Sequence, residues 1–227
     1  MSSRLAEAYD LIAEGYKHVR SKPWPEVLQV VSSRYGSYLD LGCGTGRNSL
    51  FVASKGFHVV GVDLSFGMLK VMAEEAKRKG LSSLVDAVLG DVLDLPLRSE
   101  SFEGAMCVAV LHHIPGKANR IRALGELRRV VRRGKVLITV WKRYQLGFAL
   151  AIVKSAILRA LGRVKEFGDV YVPWRRRGRK VYRYYHLYTR NELERELEEA
   201  GFSSYEIFEV KKAKRRGWNY FALASTS

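Results

Sequence analysis

The chain has 227 residues, 47% hydrophobic and 27% charged, a composition that is ordinary for a folded domain and excludes wholesale disorder. Its two cysteines cannot build a disulfide framework and do not form a metal-binding Cys-x-x-Cys pair. The net charge of +16 suits a polyanion such as RNA or DNA, and a solvated basic surface explains it equally well. We expect a cytoplasmic protein without a secretory leader or a membrane span.

Strand and helix patterns alternate along the first two thirds of the chain. After a helical stretch near 4–17, strands are predicted at 37–42, 57–63, 85–91, 101–110 and 135–141. Helices are predicted between them at 47–56, 65–80 and 117–132, and a turn at 132–135. Such alternation is typical of an α/β fold, in which a mostly parallel sheet carries helices on both faces.

The pattern changes after Trp141. An apolar helix is predicted at 145–161, and a basic, aromatic segment to which no strand is assigned follows at 163–188. An acidic-faced helix is predicted at 189–201, before two strands, SYEIFEV and WNYFALAS, that suit an antiparallel edge hairpin. We therefore expect one domain over 1–227, with an insertion at 142–188.

A glycine-rich turn, DLGCGTG at 40–46, follows the first predicted strand. Ligands bind at this position of an open parallel sheet, because glycines let the backbone approach them closely. Asp63 ends the second strand 19 residues after Gly44, which is the spacing of a carboxylate that accepts ribose hydroxyls. NAD remains an alternative, but the GxGxG spacing and a third acid, Asp91, at the end of the third strand argue against it.

Residues 37–141 resemble the class I S-adenosylmethionine (SAM)-dependent methyltransferases. The resemblance implies a Rossmann-like fold with a seven-stranded, mostly parallel sheet and an antiparallel edge hairpin. It implies that the glycine turn holds the methionine part of SAM, Asp63 the ribose and Asp91–Val92 the adenine. The implied cofactor-binding residues are Asp40, Gly42, Gly44, Gly46, Asp63, Asp91 and Val92, and no metal is expected. In such folds the segment AVLHHIP lies beside the methyl group, so His112 and His113 are candidate pocket residues.

Nearly the whole chain is similar to a narrower family, the tRNA wobble-uridine carboxymethyl methyltransferases. The similarity is carried by YDLIAEGYKHVRSKPWPEV at 9–27, by 110–141, and by RYYHLYTRNELERELEEAGF at 183–202. The chain departs from the family pattern at Arg133, where proline is usual, and in the less recognisable segment that follows Trp141. The resemblance implies SAM-dependent O-methylation of the carboxylate of 5-carboxymethyluridine in tRNA, with residues 1–36 as a substrate lid.

The chemistry of such a reaction selects further candidates. A carboxylate is ionised at neutral pH, so its methylation needs no general base but needs cations that hold it in line with the methyl group. Arg20 is the first candidate, with His112, His113 and Arg183 in support. An extruded uracil stacks on aromatic side chains, for which the candidates are Trp24, Trp141, Tyr184 and Tyr185. Alternatively, Trp24 anchors a rigid lid in the core, and RYYH at 183–186 is a strand with buried tyrosines.

Three basic groups suit a surface that follows tRNA phosphates, although each alone also fits a solvated turn. They are the run at 175–180, the run at 211–216, and the group Arg128, Arg129, Arg132 and Arg133. Two other functions stay open: a small-molecule methyltransferase acting on a quinone or a carboxylic acid, and a non-catalytic RNA-binding module.

A partner is also expected at the third predicted strand, VDAVLGD at 85–91. This strand is apolar and has neither Lys nor Pro to protect an exposed edge. In class I methyltransferases it lies at one edge of the sheet, and the wobble-uridine family has a small zinc-binding activator subunit that docks there. The alternatives are a local loop or a homodimer that covers the strand.

Overall fold

The computed structural model describes residues 6–7, 9–19, 22–33, 35–164, 166–176, 179–211 and 218–226. Its main sheet contains seven strands: β1 (Ser37–Leu41), β2 (His58–Asp63), β3 (Val85–Leu89), β4 (Phe102–Val108), β5 (Val131–Trp141), β8 (Ser204–Lys211) and β9 (Trp218–Ser225). Two further strands, β6 (Asp169–Arg176) and β7 (Arg179–His186), form a separate antiparallel hairpin.

The seven strands follow the order β3-β2-β1-β4-β5-β9-β8. The first five are parallel, whereas β9 runs antiparallel between β5 and β8. The predicted mostly parallel sheet with an antiparallel edge hairpin is confirmed, and β3 lies at the opposite edge. Because the parallel strands share one direction, their carboxyl ends lie at the same end of the sheet, where the turns after β1, β2 and β3 come together.

Within the described residues, six α-helices accompany the strands. They are α1 (Ala13–Val19), α2 (Arg47–Ala53), α3 (Phe66–Arg78), α4 (Lys117–Val130), α5 (Ala149–Ala160) and α6 (Arg190–Glu199). Ser65 begins α3 by accepting a hydrogen bond from the Met68 amide, and Thr189 with Glu192 forms a capping box at the start of α6. No helix in this part of the chain is long and apolar enough to cross a membrane.

The start of β5 differs from the sequence prediction. Residues 132–135, predicted as a turn, belong to the strand, which begins at Val131 directly after α4. The ladder between β4 and β5 shifts register here, so the extra residues are taken up in a β-bulge. Gly134 allows it, because a Cβ atom there would lie 2.0 Å from the Glu103 carbonyl oxygen.

The segment at 163–188 also differs, because most of it forms the β6–β7 hairpin. Val170, Tyr185 and Leu187 are buried against Trp141, against Phe148 and against α5, which fixes the hairpin to the main domain. Alternate residues of a strand point to opposite faces, so Tyr171, Tyr182 and Tyr184 lie on the other face. The hairpin therefore carries an apolar inner face and a face rich in tyrosine.

Candidate active site

The glycine turn after β1 combines close packing with an open face. Gly42 and Gly44 both have positive φ angles, which favour glycine. A Cβ atom on Gly42 would lie 2.3 Å from the Val110 side chain, whereas one on Gly44 would meet nothing within 4 Å. Both glycines line a large cavity, so Gly44 presents bare backbone to it. Gly46 precedes α2 and packs against Met72, away from the cavity.

Two acids at neighbouring strand ends also line this cavity. The Asp63 carboxylate accepts hydrogen bonds from the amides of Gly44, at 2.8 Å, and Ser65, at 2.9 Å, so its orientation is set by the turns around it. Burial raises the pKa of Asp63. Asp91 follows β3 and accepts a hydrogen bond from the Leu93 amide, and Val92 lies beside it on the cavity wall.

Asp40 lies beneath the glycine turn and does not line the cavity. It is buried, and its Oδ2 atom accepts hydrogen bonds from the Ser49 amide, at 3.1 Å, and the Ser49 hydroxyl, at 2.6 Å. Burial raises the pKa of Asp40 to about 7. The structure therefore places Asp40 against the start of α2, outside the lining of the cavity.

The cavity has a volume of about 1070 Å³. Its lining joins the strand-end residues Gly44, Asp63 and Asp91 to the tyrosine-rich face of the hairpin and to the N-terminal segment. Pockets for small ligands usually measure about 300–1,000 Å³. A nucleotide-sized cofactor therefore fits together with part of a second molecule.

His113 lines the cavity with both ring nitrogens engaged. Its Nδ1 atom lies 3.1 Å from the Tyr184 carbonyl oxygen, which can only accept, so Nδ1 carries a proton. In the neutral ring Nε2 is then an acceptor, and it lies 3.1 Å from the Tyr9 hydroxyl. His112 points elsewhere: it is buried against the rings of Trp141 and Tyr185 and does not line the cavity.

Arg183 is connected to the cavity through Tyr9. Its buried guanidinium interacts electrostatically with the Tyr9 hydroxyl and lies 5.3 Å from the centre of the Tyr185 ring. Burial raises the pKa of Tyr9 well above its usual range, so the phenol stays protonated. Tyr9, which the sequence analysis did not select, thus lines the cavity between Arg183 and His113.

Of the four aromatic candidates, Tyr184 alone lines the cavity. Tyr185 is buried on the opposite face of β7, as adjacent strand residues must be, and stacks on Trp141 at 4.5 Å between ring centres. Trp24 packs edge-on against Phe221 in a core cluster. Trp24, Trp141 and Tyr185 therefore do not line the cavity, and Arg20 lies outside the described residues.

A buried polar network anchors the hairpin beside the cavity. Asp169 accepts hydrogen bonds from Tyr184 and His186, at 2.6 and 2.9 Å, and Glu166 accepts one from Arg120 at 2.7 Å. Glu166, Asp169 and His186 are metal-ligating residue types whose ligand atoms lie within 4.8 Å of one another, but Glu166 Oε2, Asp169 Oδ1 and His186 Nδ1 already take part in these bonds. The sequence offered one signal, since Glu166 and Asp169 are the only acids between Glu126 and Glu192.

The basic groups do not share one location. Arg132 and Arg133 lie at the amino end of β5. The cavity lies at the carboxyl ends of the strands, so these two residues are at the opposite end of the sheet. Arg129 is tied to Glu126 and to the Leu97 carbonyl oxygen. The run at 211–216 starts at Lys211, which pairs with Trp218 near the carboxyl end of β5. The other residues of this run, 212–216, lie outside the described residues. So do residues 177–178 of the run at 175–180.

Comparisons with known proteins agree with this geometry. A family model described as "Methyltransferase domain" matches residues 39–139. The tRNA (carboxymethyluridine(34)-5-O)-methyltransferase of Schizosaccharomyces pombe is 30% identical over 226 residues, covering 87% of each chain. The protein of the same name from Arabidopsis thaliana is 35% identical over 140 residues, which cover 60% of this chain and 32% of that one.

A solved structure shows the same fold at lower identity. The crystal structure of a SAM-dependent methyltransferase from Methanosarcina mazei superposes with a TM-score of 0.75 at 20% identity, covering 90% of this chain and 98% of that one. The sheet order, the strand-end cavity and the similarity along most of the chain lead to one conclusion. The chain belongs to the family of the tRNA (carboxymethyluridine(34)-5-O)-methyltransferases.

Proposed function

We propose that the protein transfers a methyl group from SAM to the carboxylate of 5-carboxymethyluridine at the wobble position of tRNA. The observation that carries the proposal is a single cavity, lined by the glycine turn and Asp63 and also by His113 and Tyr184. This cavity can hold the methyl donor and an extruded nucleoside together. The names of the relatives support the same substrate.

The residues present fit SAM. Gly44 leaves open space at the turn, where the methionine part would lie, and the oriented Asp63 carboxylate can accept the two ribose hydroxyls. Asp91 and Val92 would hold the adenine. Bound SAM supplies a methyl group on a positively charged sulfur atom. The protein itself must bind the acceptor, orient it and exclude water.

The polar groups around His113 suit an acceptor that is already ionised. One nitrogen of His113 donates to the Tyr184 carbonyl, and the other accepts from Tyr9. His113 therefore orients Tyr9 instead of removing a proton from substrate, and carboxylate methylation requires no base. Arg183 places a positive charge behind the Tyr9 hydroxyl, where it favours a nearby anion. Arg20 remains a further candidate cation.

The proposed function is tested by nucleoside mass spectrometry. tRNA that contains 5-carboxymethyluridine is incubated with the protein and SAM, and the nucleosides are then analysed. We expect the carboxymethyluridine to gain one methyl group. Unchanged tRNA together with a methylated quinone or carboxylic acid would instead establish a small-molecule methyltransferase. RNA binding without SAM binding in calorimetry would establish a non-catalytic module.

We propose that residues 1–36 form a lid over the site and that residues 142–188 complete its wall within a single domain. Tyr9 and Tyr16 line the cavity, and Ile12 packs against Met68 of α3. Asp10 accepts hydrogen bonds from the Ser65 hydroxyl and the Gly67 amide, which fastens this segment to the start of α3. Deleting residues 1–12 is expected to cause a large loss of turnover on tRNA and only a small decrease in the melting temperature.

We propose that a small zinc-binding activator subunit pairs with β3. This strand forms one edge of the sheet, and its Leu89 side chain is 56% exposed. An apolar edge strand of this kind invites pairing with another chain. Co-expression with the cognate subunit should give one complex on gel filtration, with raised SAM affinity. Separate elution and full activity of the lone chain would exclude the partner.

We also propose a cytoplasmic location. Cys43 and Cys107 are both buried free thiols, which is usual in a reducing compartment. Fractionation of cells that express the protein with a C-terminal tag tests the location.

A further inference from the structure

Two tyrosines of the hairpin lie open to solvent where the cavity meets the surface. Tyr171 is 61% exposed and Tyr182 is 57% exposed, and both line the cavity. Within the described residues, they are the only exposed large apolar side chains that do so. Large aromatic rings usually bury most of their area, so two open rings at the entrance of a site indicate a ligand that covers them.

The register of the hairpin explains their common orientation. Tyr171 pairs with Tyr184, and Pro173 pairs with Tyr182, so Tyr171 and Tyr182 are diagonal neighbours on one face. Diagonal neighbours of an antiparallel pair lie about 7–8 Å apart. The two rings can therefore serve neighbouring bases of one RNA strand.

The hairpin next to Tyr171 is held by a ring contact and by hydrogen bonds. The Tyr171 ring contacts the Tyr184 ring edge-on at 5.9 Å between centres. Tyr184 is in turn held by Asp169, which belongs to the network that includes His186 and Glu166. On the opposite face, Val170, Tyr185 and Leu187 are buried. A platform that is already ordered loses little conformational entropy when a base stacks on it.

We propose that Tyr171 and Tyr182 form a stacking subsite for the nucleobases that flank the modified uridine. The proposal rests on the proposed function and extends it from the reacting nucleoside to its neighbours. Single-stranded RNA binds through aromatic stacking combined with basic side chains that contact phosphates. Exposed Arg163 also lines the cavity and can supply such a contact. The strands beyond the tyrosines carry further basic residues, at Arg175, Arg176, Arg179 and Lys180.

The test compares alanine substitutions of the two tyrosines with a matched control. Tyr144 is 62% exposed but does not line the cavity, so Tyr144→Ala is that control. The probe is an anticodon stem–loop RNA with 5-carboxymethyluridine at the wobble position, and affinity is measured by fluorescence anisotropy. We expect Tyr171→Ala and Tyr182→Ala each to weaken binding about fivefold or more, and Tyr144→Ala to leave it unchanged.

Two further measurements separate stacking from folding. Tyr171→Phe and Tyr182→Phe keep the rings and should bind RNA almost as tightly as the wild type, and SAM affinity should stay unchanged in all variants. Equal RNA affinity in the alanine variants, or an equal loss in Tyr144→Ala, overturns the subsite. If the wild type binds this RNA through the tyrosines but does not methylate it, the proposed function fails and the subsite stands.

Discussion

Asp40 and Asp63 are carboxylates at the ends of neighbouring strands, and their surroundings give them different tasks. Asp63 lines the cavity and takes its hydrogen bonds from backbone amides of the surrounding turns. Asp40 is buried under the turn and bonded to Ser49. Both resembled cofactor ligands in the sequence, because a motif records residue types and spacing but not which side of a turn a side chain takes.

Replacing Asp63 by alanine should weaken SAM binding at least about tenfold, since hydrogen bonds to a charged acceptor contribute about 1.5–3 kcal/mol each. Part of the loss comes from the turn, which no longer has an acceptor for the Gly44 amide. Titration calorimetry measures the affinity. Asp86→Ala is the control, because Asp86 is exposed on β3 and does not line the cavity. Unchanged affinity in Asp63→Ala would contradict the assigned role.

Replacing Asp40 by asparagine should raise stability in a pH-dependent manner. The pKa of Asp40 is about 7 in the folded chain and about 3.9 when unfolded, so between these values only the folded chain holds the proton. The wild type therefore loses stability as the pH rises through this window, by up to about 4 kcal/mol. The asparagine side chain does not titrate, so the variant does not lose stability in this way. Denaturant unfolding at pH 4 and pH 8 should show that the advantage of the variant increases with pH; an equal difference at both values would refute the assignment.

Two adjacent pairs show what a sequence can and cannot predict about a site. The sequence identified His112–His113 and Tyr184–Tyr185 as candidates, and one member of each pair, His113 and Tyr184, lines the cavity. The partner of each is buried, since neighbouring residues of a strand or a tight turn cannot point the same way. Which member faces the cavity depends on how the hairpin and the turn after β4 pack against distant elements, and the sequence pattern does not give this packing.

At the scale of elements, the β6–β7 hairpin is the largest departure from the sequence prediction, beside the earlier start of β5. Helices and strands up to Trp141 are marked by clear periodicity, by Ser65 and by terminal glycines. Residues 163–188 are instead dominated by basic residues and tyrosines, whose alternation is hidden because both faces contain large side chains. The hairpin is held by tertiary contacts, namely Trp141 on one face and the Asp169 network on the other.

Arg120 is the residue on which that network depends. It is 1% exposed and donates hydrogen bonds to Glu196 of α6 and to Glu166 before the hairpin. Arg120→Met should lower the free energy of unfolding by about 3–5 kcal/mol, because it leaves the buried Glu196 carboxylate, and the partly buried Glu166, without their cation. Arg190→Ala, which removes an exposed pair with Glu194, should cost less than about 1 kcal/mol. Similar losses for both variants in urea unfolding would contradict this account.

At the scale of the whole molecule, the sequence predicts the type of sheet and the net charge but not where the charges lie on the surface. Alternating strands and helices allow few topologies, so the parallel sheet followed from the pattern, whereas the edge position of β3 was implied by the resemblance to class I methyltransferases. Net charge can be counted, but its position on the surface cannot. The structure separates the basic groups between the two ends of the sheet, with Arg132 and Arg133 far from the cavity and Lys211 at the cavity end.

This separation predicts which basic residues contact tRNA. Replacing the five basic residues of 211–216 by glutamine should weaken tRNA binding and flatten the plot of log K against log salt by about 0.7–0.9 for each lost phosphate contact. The control removes five exposed basic residues at the opposite end of the sheet: Lys55, Arg128, Arg132, Arg133 and Lys135. Both variants lose the same net charge, so the overall field falls equally and only direct contacts differ. Equal slopes in the two variants would show that 211–216 contributes to the general field alone, and the cavity end of the sheet would then not be the tRNA-binding side.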